Sequence, residues 1–136
     1  MRIVLDTVIY VRALINPKGK WGRLASEVAR RHTTITSPEI MREVIEVLQR
    51  QALKSKLPEI EYAVRFEAIL AALREAEIVQ PKDRPSVCRD PDDDKVFWCA
   101  AAASADYIVS GDSDILAVEE YEGSRTISAA DFLALE

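Results

Sequence analysis

The chain has 136 residues, 18 of them Lys or Arg and 23 Asp or Glu, for a formal net charge of -5, and 49% are hydrophobic. That length fits one domain, residues 1–136, with a core large enough to need no disulfide or metal staple. The longest uncharged apolar run, Val96 to Ala103, falls far short of the ~20 residues a membrane span requires, and only Ile3, Val4 and Leu5 separate Arg2 from the next charge, so neither a span nor a secretory leader is expected.

Cys88 and Cys99 lie without a second pair or a nearby His, which argues against a zinc site and a disulfide framework and favours a reducing cytoplasm. Charge is unevenly spread. Residues 1 to 57 carry eleven Lys or Arg against five Asp or Glu, whereas residues 58 to 136 carry seven against eighteen. A basic region able to meet phosphates and an acidic one able to hold cations can therefore share one small surface.

Arg2 to Leu5 is a short apolar run that reads as a buried parallel strand delivering Asp6 at its carboxyl end. A helix is predicted from Thr7 to Leu14, then a turn at Asn16-Pro17-Lys18-Gly19, then a helix on Trp21, Leu24, Ala25, Val28 and Ala29 up to Arg31. Thr33 to Thr36 is β-branched and reads as a strand. Ser37 suits an N-cap with Pro38 at the first helical position, opening a helix to about Leu53. Pro58 starts another, running to about Glu77 on Ile60, Val64, Ile69 and Leu73. Ile78-Val79 reads as a weak strand, Pro81 to Arg89 as a loop, and Asp90-Pro91 as the start of a helix through Ala103. Tyr107 to Ser110 and Arg125 to Ile127 are further strands, with a helical turn from Asp114 to Val118 between them and a last helix capped by Ser128 that buries Phe132 and Leu133. Alternating strands and helices imply an α/β fold with a mostly parallel sheet, in which ligands bind beyond the carboxyl ends of the strands where strand order reverses. Asp6 and Asp112 both fall there.

Each acidic candidate has a plain alternative. Asp6 could simply cap the next helix. On a helical wheel Val47, Ile40, Val44, Leu48, Met41 and Ile45 form one apolar arc, and Glu43 borders it while Glu39 and Glu46 point toward water. In Arg89-Asp90-Pro91-Asp92-Asp93-Asp94, capping and the helix dipole account for Asp90, Asp92 and Asp93. Asp94 shares the inward face of Phe97, Trp98 and Ala101, and an inward carboxylate needs a partner. The turn Ser110-Gly111-Asp112-Ser113-Asp114 needs one capping Asp rather than two. Asp6, Glu43, Asp94 and Asp112 can thus converge. Like charges ~5 Å apart at an effective dielectric of ~20 repel by roughly 3 kcal/mol, so the cluster calls for a cation, and oxygen-only donors favour Mg²⁺ or Mn²⁺ over zinc. His32 is the single His, which leaves a Ser-His-Asp or Cys-His mechanism one exposed residue, and no phosphate-binding Gly-rich loop occurs.

Taken in order, strand-Asp6-Thr7, Ser37-Pro38-Glu39-Ile40-Met41-Arg42-Glu43, Arg89 to Lys95 and Ile108 to Asp114 make the sequence resemble the PIN-domain family over nearly its whole length, most closely the small prokaryotic toxin components of toxin-antitoxin pairs. The resemblance implies a three-layer α/β/α domain around an approximately five-stranded, mostly parallel sheet. It also implies a Mg²⁺- or Mn²⁺-dependent ribonuclease whose four acidic positions fall on Asp6, Glu43, Asp94 and Asp112, with Ser110 where Ser or Thr is usual and Asp114 assisting. Such a protein would cleave an RNA phosphodiester by metal-activated water, without a His. An antitoxin protein and a second copy of the chain are the partners the resemblance allows.

Val8 stands where relatives commonly carry Asn or Ser, so a rival reading is an impaired PIN-like domain that binds RNA or a partner without turnover. A receiver or haloacid-phosphatase domain is a third reading, but those require a second carboxylate near Asp6 that Thr7-Val8 does not supply. Lys18, Lys20, Arg23, Arg30, Arg31 and Arg42 are candidate phosphate contacts by charge alone.

Overall fold

The structure, a computed structural model, describes residues 1–54 and 57–136. The first strand, β1 (Arg2–Leu5), runs into α1 (Thr7–Ile15), and a turn leads to α2 (Lys20–Arg23), prolonged by a π-helical stretch over Leu24–Val28 and a 3-10 turn over Ala29–Arg31. Then come β2 (Thr33–Thr36), α3 (Pro38–Lys54), α4 (Glu59–Glu75) and β3 (Glu77–Ile78). A loop and a 3-10 turn, Pro91–Asp93, precede α5 (Asp94–Ala103). The chain closes with β4 (Tyr107–Val109), α6 (Ser113–Leu116), β5 (Glu120–Tyr121), β6 (Ser124–Ile127) and α7 (Ala129–Ala134).

The sheet order is β3-β2-β1-β4-β6-β5, and every pairing is parallel except β5 with β6. Six strands replace the five predicted, because Glu120–Tyr121 folds back on Ser124 through a turn in which Gly123 takes φ +89°. Two residues of polar or mixed character leave no periodic signal in a sequence. Ile3, Val4, Leu5, Ile35, Ile108 and Val109 are buried in the central strands, as both faces of a helix-flanked parallel sheet require.

The helix caps follow local chemistry. Ser37 Oγ accepts from the Ile40 amide at 3.3 Å and Ser128 Oγ from the Asp131 amide at 3.1 Å, each satisfying an N–H that the helix cannot. Ile40, Val44 and Leu48 are fully buried along α3, on the predicted arc. The first half of α4 differs. Ile60 and Val64 are 82% and 66% exposed, while Tyr62, Phe66, Ile69 and Leu73 make the inward stripe. Tyr62 and Phe66 stand at helical spacing from Ile69 and Leu73, and the Tyr62 hydroxyl donates to the Leu48 carbonyl, which turns that face inward. Among the described residues, no helix is long and apolar enough to cross a membrane.

Strand order reverses at β1, which has β2 on one side and β4 on the other. The carboxyl ends of β1 and β4 are therefore neighbours. The Asp6 amide donates to the Val109 carbonyl at 3.0 Å, so residues 6 and 110 to 114 emerge side by side from the sheet.

Candidate metal centre

Asp6 occupies the N-cap position of α1 without a side-chain capping bond, so capping does not explain it. Its carboxylate is buried and accepts from Ser110 Oγ at 2.8 Å. Ser110 Oγ in turn accepts from the Asp112 amide at 2.9 Å, and Asp112 Oδ1 from the Asp114 amide at 2.8 Å. One chain of bonds thus runs from β1 through the turn after β4. Burial pushes the Asp6 carboxyl up to about 6, and the charges of Glu43 and Asp112 push the same way, against the Ser110 hydroxyl and the Thr7 amide, which favour the ionised form.

Glu43 reaches this site from α3, within electrostatic range of Asp6, and its Oε2 lies 2.5 Å from Lys95 Nζ. Lys95 also donates to the Asp92 carbonyl, so the same ammonium ties α3 to the start of α5.

Asp94 is buried as its place on the wheel predicts, yet the structure does not bring it into the cluster. Its Oδ1 accepts from the Val87 amide at 3.1 Å, the Cys88 amide at 2.9 Å and Cys88 Sγ at 3.3 Å. The partner that an inward carboxylate needs is a pair of backbone N–H groups in the loop. Burial, and then the Asp94 carboxylate, push the Cys88 thiol up to about 12.

Asp93, expected to face water as a cap, is corrected by the structure. It is half-buried, among the described residues no N–H or hydroxyl donor meets its buried Oδ2, and burial, the charges of Asp112, Asp6 and Asp90 and the side-chain contact with Asp112 raise its carboxyl to about 7. The physical reason is the break in helix type: Pro91–Asp93 winds as a 3-10 turn, so residues before Asp94 do not continue the wheel of α5. Asp90 does cap that turn, its Oδ1 accepting from the Asp92 amide at 3.0 Å, and Asp92 is exposed. One oxygen from each of Asp90, Asp93 and Asp114 lies within 4.8 Å of the others. The structure therefore gathers Asp6, Asp112 and Glu43 with Asp90, Asp93 and Asp114, and leaves Asp94 to the loop. Sequence reasoning missed Asp93; the one available signal was Pro91, which starts a tight turn as readily as an α-helix.

These residues fit a hard cation. Every donor is a carboxylate oxygen, the kind Mg²⁺ and Mn²⁺ prefer, and a buried carboxylate oxygen such as Asp93 Oδ2 is costly unless a cation or a proton meets it. The Cys88 thiol borders the cluster, 3.2 Å from the Asp90 carbonyl, but is held protonated, and the one imidazole is remote. His32 sits at the amino end of β2, bonded to Glu136 and packed edge-on against Phe132, at the opposite end of the sheet. Two cavities lie away from the cluster: one of about 650 Å³ between α4 and residues 25–30, and one of about 640 Å³ between residues 80–85 and α5.

Comparison with known proteins bears on the fold and the family. An uncharacterized protein, MJ1680, of Methanocaldococcus jannaschii is 30% identical over 126 residues, which span 88% of this chain and 76% of that protein. The crystal structure of PAE2754 from Pyrobaculum aerophilum superposes with a TM-score of 0.65 at 12% identity, covering 99% of this chain and 97% of its own. VapBC2 from Rickettsia felis, solved bound to a DNA fragment from its promoter, gives 0.61 at 16% identity, covering 94% and 98%. The model of the PIN domain matches residues 2–114, from β1 through the acidic turn after β4, and the chain belongs to the PIN-domain family.

Proposed function

We propose that the chain is a Mg²⁺- or Mn²⁺-dependent endoribonuclease, and the toxin component of a toxin-antitoxin pair, in which Asp6, Asp93 and Asp112 are the principal ligands and Asp90 and Asp114 complete the shell. The carrying observation is the Asp93 carboxyl set against the carboxylates of Asp112, Asp6 and Asp90 at the strand-order reversal, its buried Oδ2 met by no N–H or hydroxyl donor among the described residues. When bound, a divalent cation supplies a water of lowered pKa and neutralises charge that builds on the phosphate. The chain's own residues arrange the rest. Ser110 fixes the Asp6 carboxylate and the Asp112 backbone with one hydroxyl, and Lys95 holds Glu43 beside Asp6 while removing part of its repulsion. The toxin assignment draws on the resemblance of the motifs and on the fold shared with VapBC2, and makes an antitoxin protein the natural partner.

The test is cleavage of a single-stranded RNA with Mn²⁺ present. Asp6→Asn, Asp93→Asn and Asp112→Asn are expected to abolish cleavage, and Asp92→Asn to leave it intact. Retained activity in Asp93→Asn would remove that residue from the ligand set, and retained activity in all three would end the nuclease reading.

A further inference from the structure

Beside the carboxylates lies a group of cations that no ion pair occupies. Arg12 Cζ stands 4.7 Å from the centroid of the Trp21 ring and Lys20 Nζ 4.8 Å from it. The group touches the acidic turn itself: a Cβ on Gly111, between Ser110 and Asp112, would lie 3.3 Å from Trp21 Cη2 and 3.4 Å from Arg12 Nη1. Its position is tightly set, because a Cβ on Gly22 would lie 1.9 Å from the Pro17 carbonyl oxygen, so the backbone of α2 rests directly on the turn that follows α1.

Arg12 and Lys20 are exposed, and among the described residues neither makes a salt bridge. By contrast Arg23 pairs with Glu27 and Arg31 with Glu136. Charge alone does not single out Arg12, because one Arg in the middle of an amphipathic helix carries no signal.

We infer that Arg12 and Lys20, held on the Trp21 ring, grip the phosphates of a single polynucleotide strand next to the bond presented to the carboxylates. This rests on the nuclease reading for the identity of the strand. A strand approaching six carboxylates needs opposite charge at the rim, and two cations steadied on one indole ring, with Arg12 and Trp21 against the turn that bears Asp112, supply it without neutralising the ligands. Trp21 is a positioning residue, since it holds the cations in place.

The experiment measures anisotropy of a fluorescein-labelled single-stranded oligoribonucleotide, with chelator present so that nothing is turned over, across a range of KCl. Arg12→Ala and Lys20→Ala are each expected to weaken binding about five- to tenfold and to reduce the slope of log K against log salt by about 0.7. Trp21→Leu should reproduce the loss for the pair, and Trp21→Phe should restore most of it. Arg31→Ala, at the other end of the sheet, should bind as the parent does. Unchanged affinity and slope in Arg12→Ala and Lys20→Ala overturn the inference, whatever Trp21→Leu does to folding. Cleavage in Mn²⁺ is followed separately. A parent that binds with this dependence but never cleaves leaves the platform standing and the nuclease reading refuted; a parent that cleaves, with variants that bind and cleave equally well, refutes the platform alone.

Discussion

The Ser110 hydroxyl stands 2.8 Å from Asp6 Oδ2 and joins two residues 104 positions apart in the chain. The same oxygen accepts from the Asp112 amide, so a single buried hydroxyl positions acidic groups from β1 and from the turn after β4. Ser110→Ala is expected to cost about 1–3 kcal/mol, because it leaves the Asp112 N–H and one carboxylate oxygen without their partner. It should also weaken Mn²⁺ binding by ~10- to 100-fold, the range typical of groups that orient a ligand. Calorimetric titration together with urea unfolding measures both; an unchanged Mn²⁺ affinity would show that Ser110 only packs.

Asp93 and Asp94 are neighbours with opposite electrostatic situations, and their Asn variants should move stability in opposite directions. Asp93→Asn removes a charge repelled by Asp112, Asp6 and Asp90, so the protein in chelator should melt higher and lose its stabilisation by Mn²⁺. Asp94→Asn replaces the charged acceptor of the Val87 and Cys88 amides and should lower stability by about 1–3 kcal/mol while the response to Mn²⁺ persists. Scanning calorimetry with and without Mn²⁺ decides; a reversed pattern would return the ligand role to Asp94.

Acid should help the cation-free protein at this site. The carboxyls of Asp6 and Asp93 rise from 3.8 to about 6 and about 7, so between those values the folded state binds more protons than the unfolded one and stability falls as pH rises. The penalty is absent below about pH 4 and complete above about pH 7. In chelator, the melting temperature of the parent relative to Asp93→Asn is therefore expected to drop from about pH 5 to about pH 8, and Mn²⁺ should recover more of it at the higher pH. A difference that is flat with pH would mean that Asp93 is ionised without cost.

On α4, burial rather than hydrophobicity should decide the response to substitution. Ile60→Ser and Val64→Ser, at exposed positions, are expected to change stability by less than about 0.5 kcal/mol, whereas Leu73→Ala, fully buried, should cost about 2–5 kcal/mol. Urea unfolding of the three variants is the check. A large loss at Ile60 or Val64 would show that this face packs inward.

Asp6 and Asp112 stand out without coordinates because their signals are local, a carboxylate directly beyond each of two apolar strands; an acid at the border of an apolar arc is a weaker signal, and Glu43 needs the motif resemblance as well. Local signals also mark the strands at 2–5, 33–36 and 107–109, where β-branched or apolar runs are bounded by turn residues. Partner choice is not local. Asp94 lies on the inward face in either case, and only the path of the loop through Val87 and Cys88 determines that amides meet it and leave Asp93 for the cluster. Arg12 and Trp21 became neighbours of Gly111 through the packing of α1 and α2 against the end of β4, a contact across about a hundred residues that no periodicity encodes. Periodicity reports which side of an element is buried; what lies opposite is decided by how the sheet brings distant strand ends together.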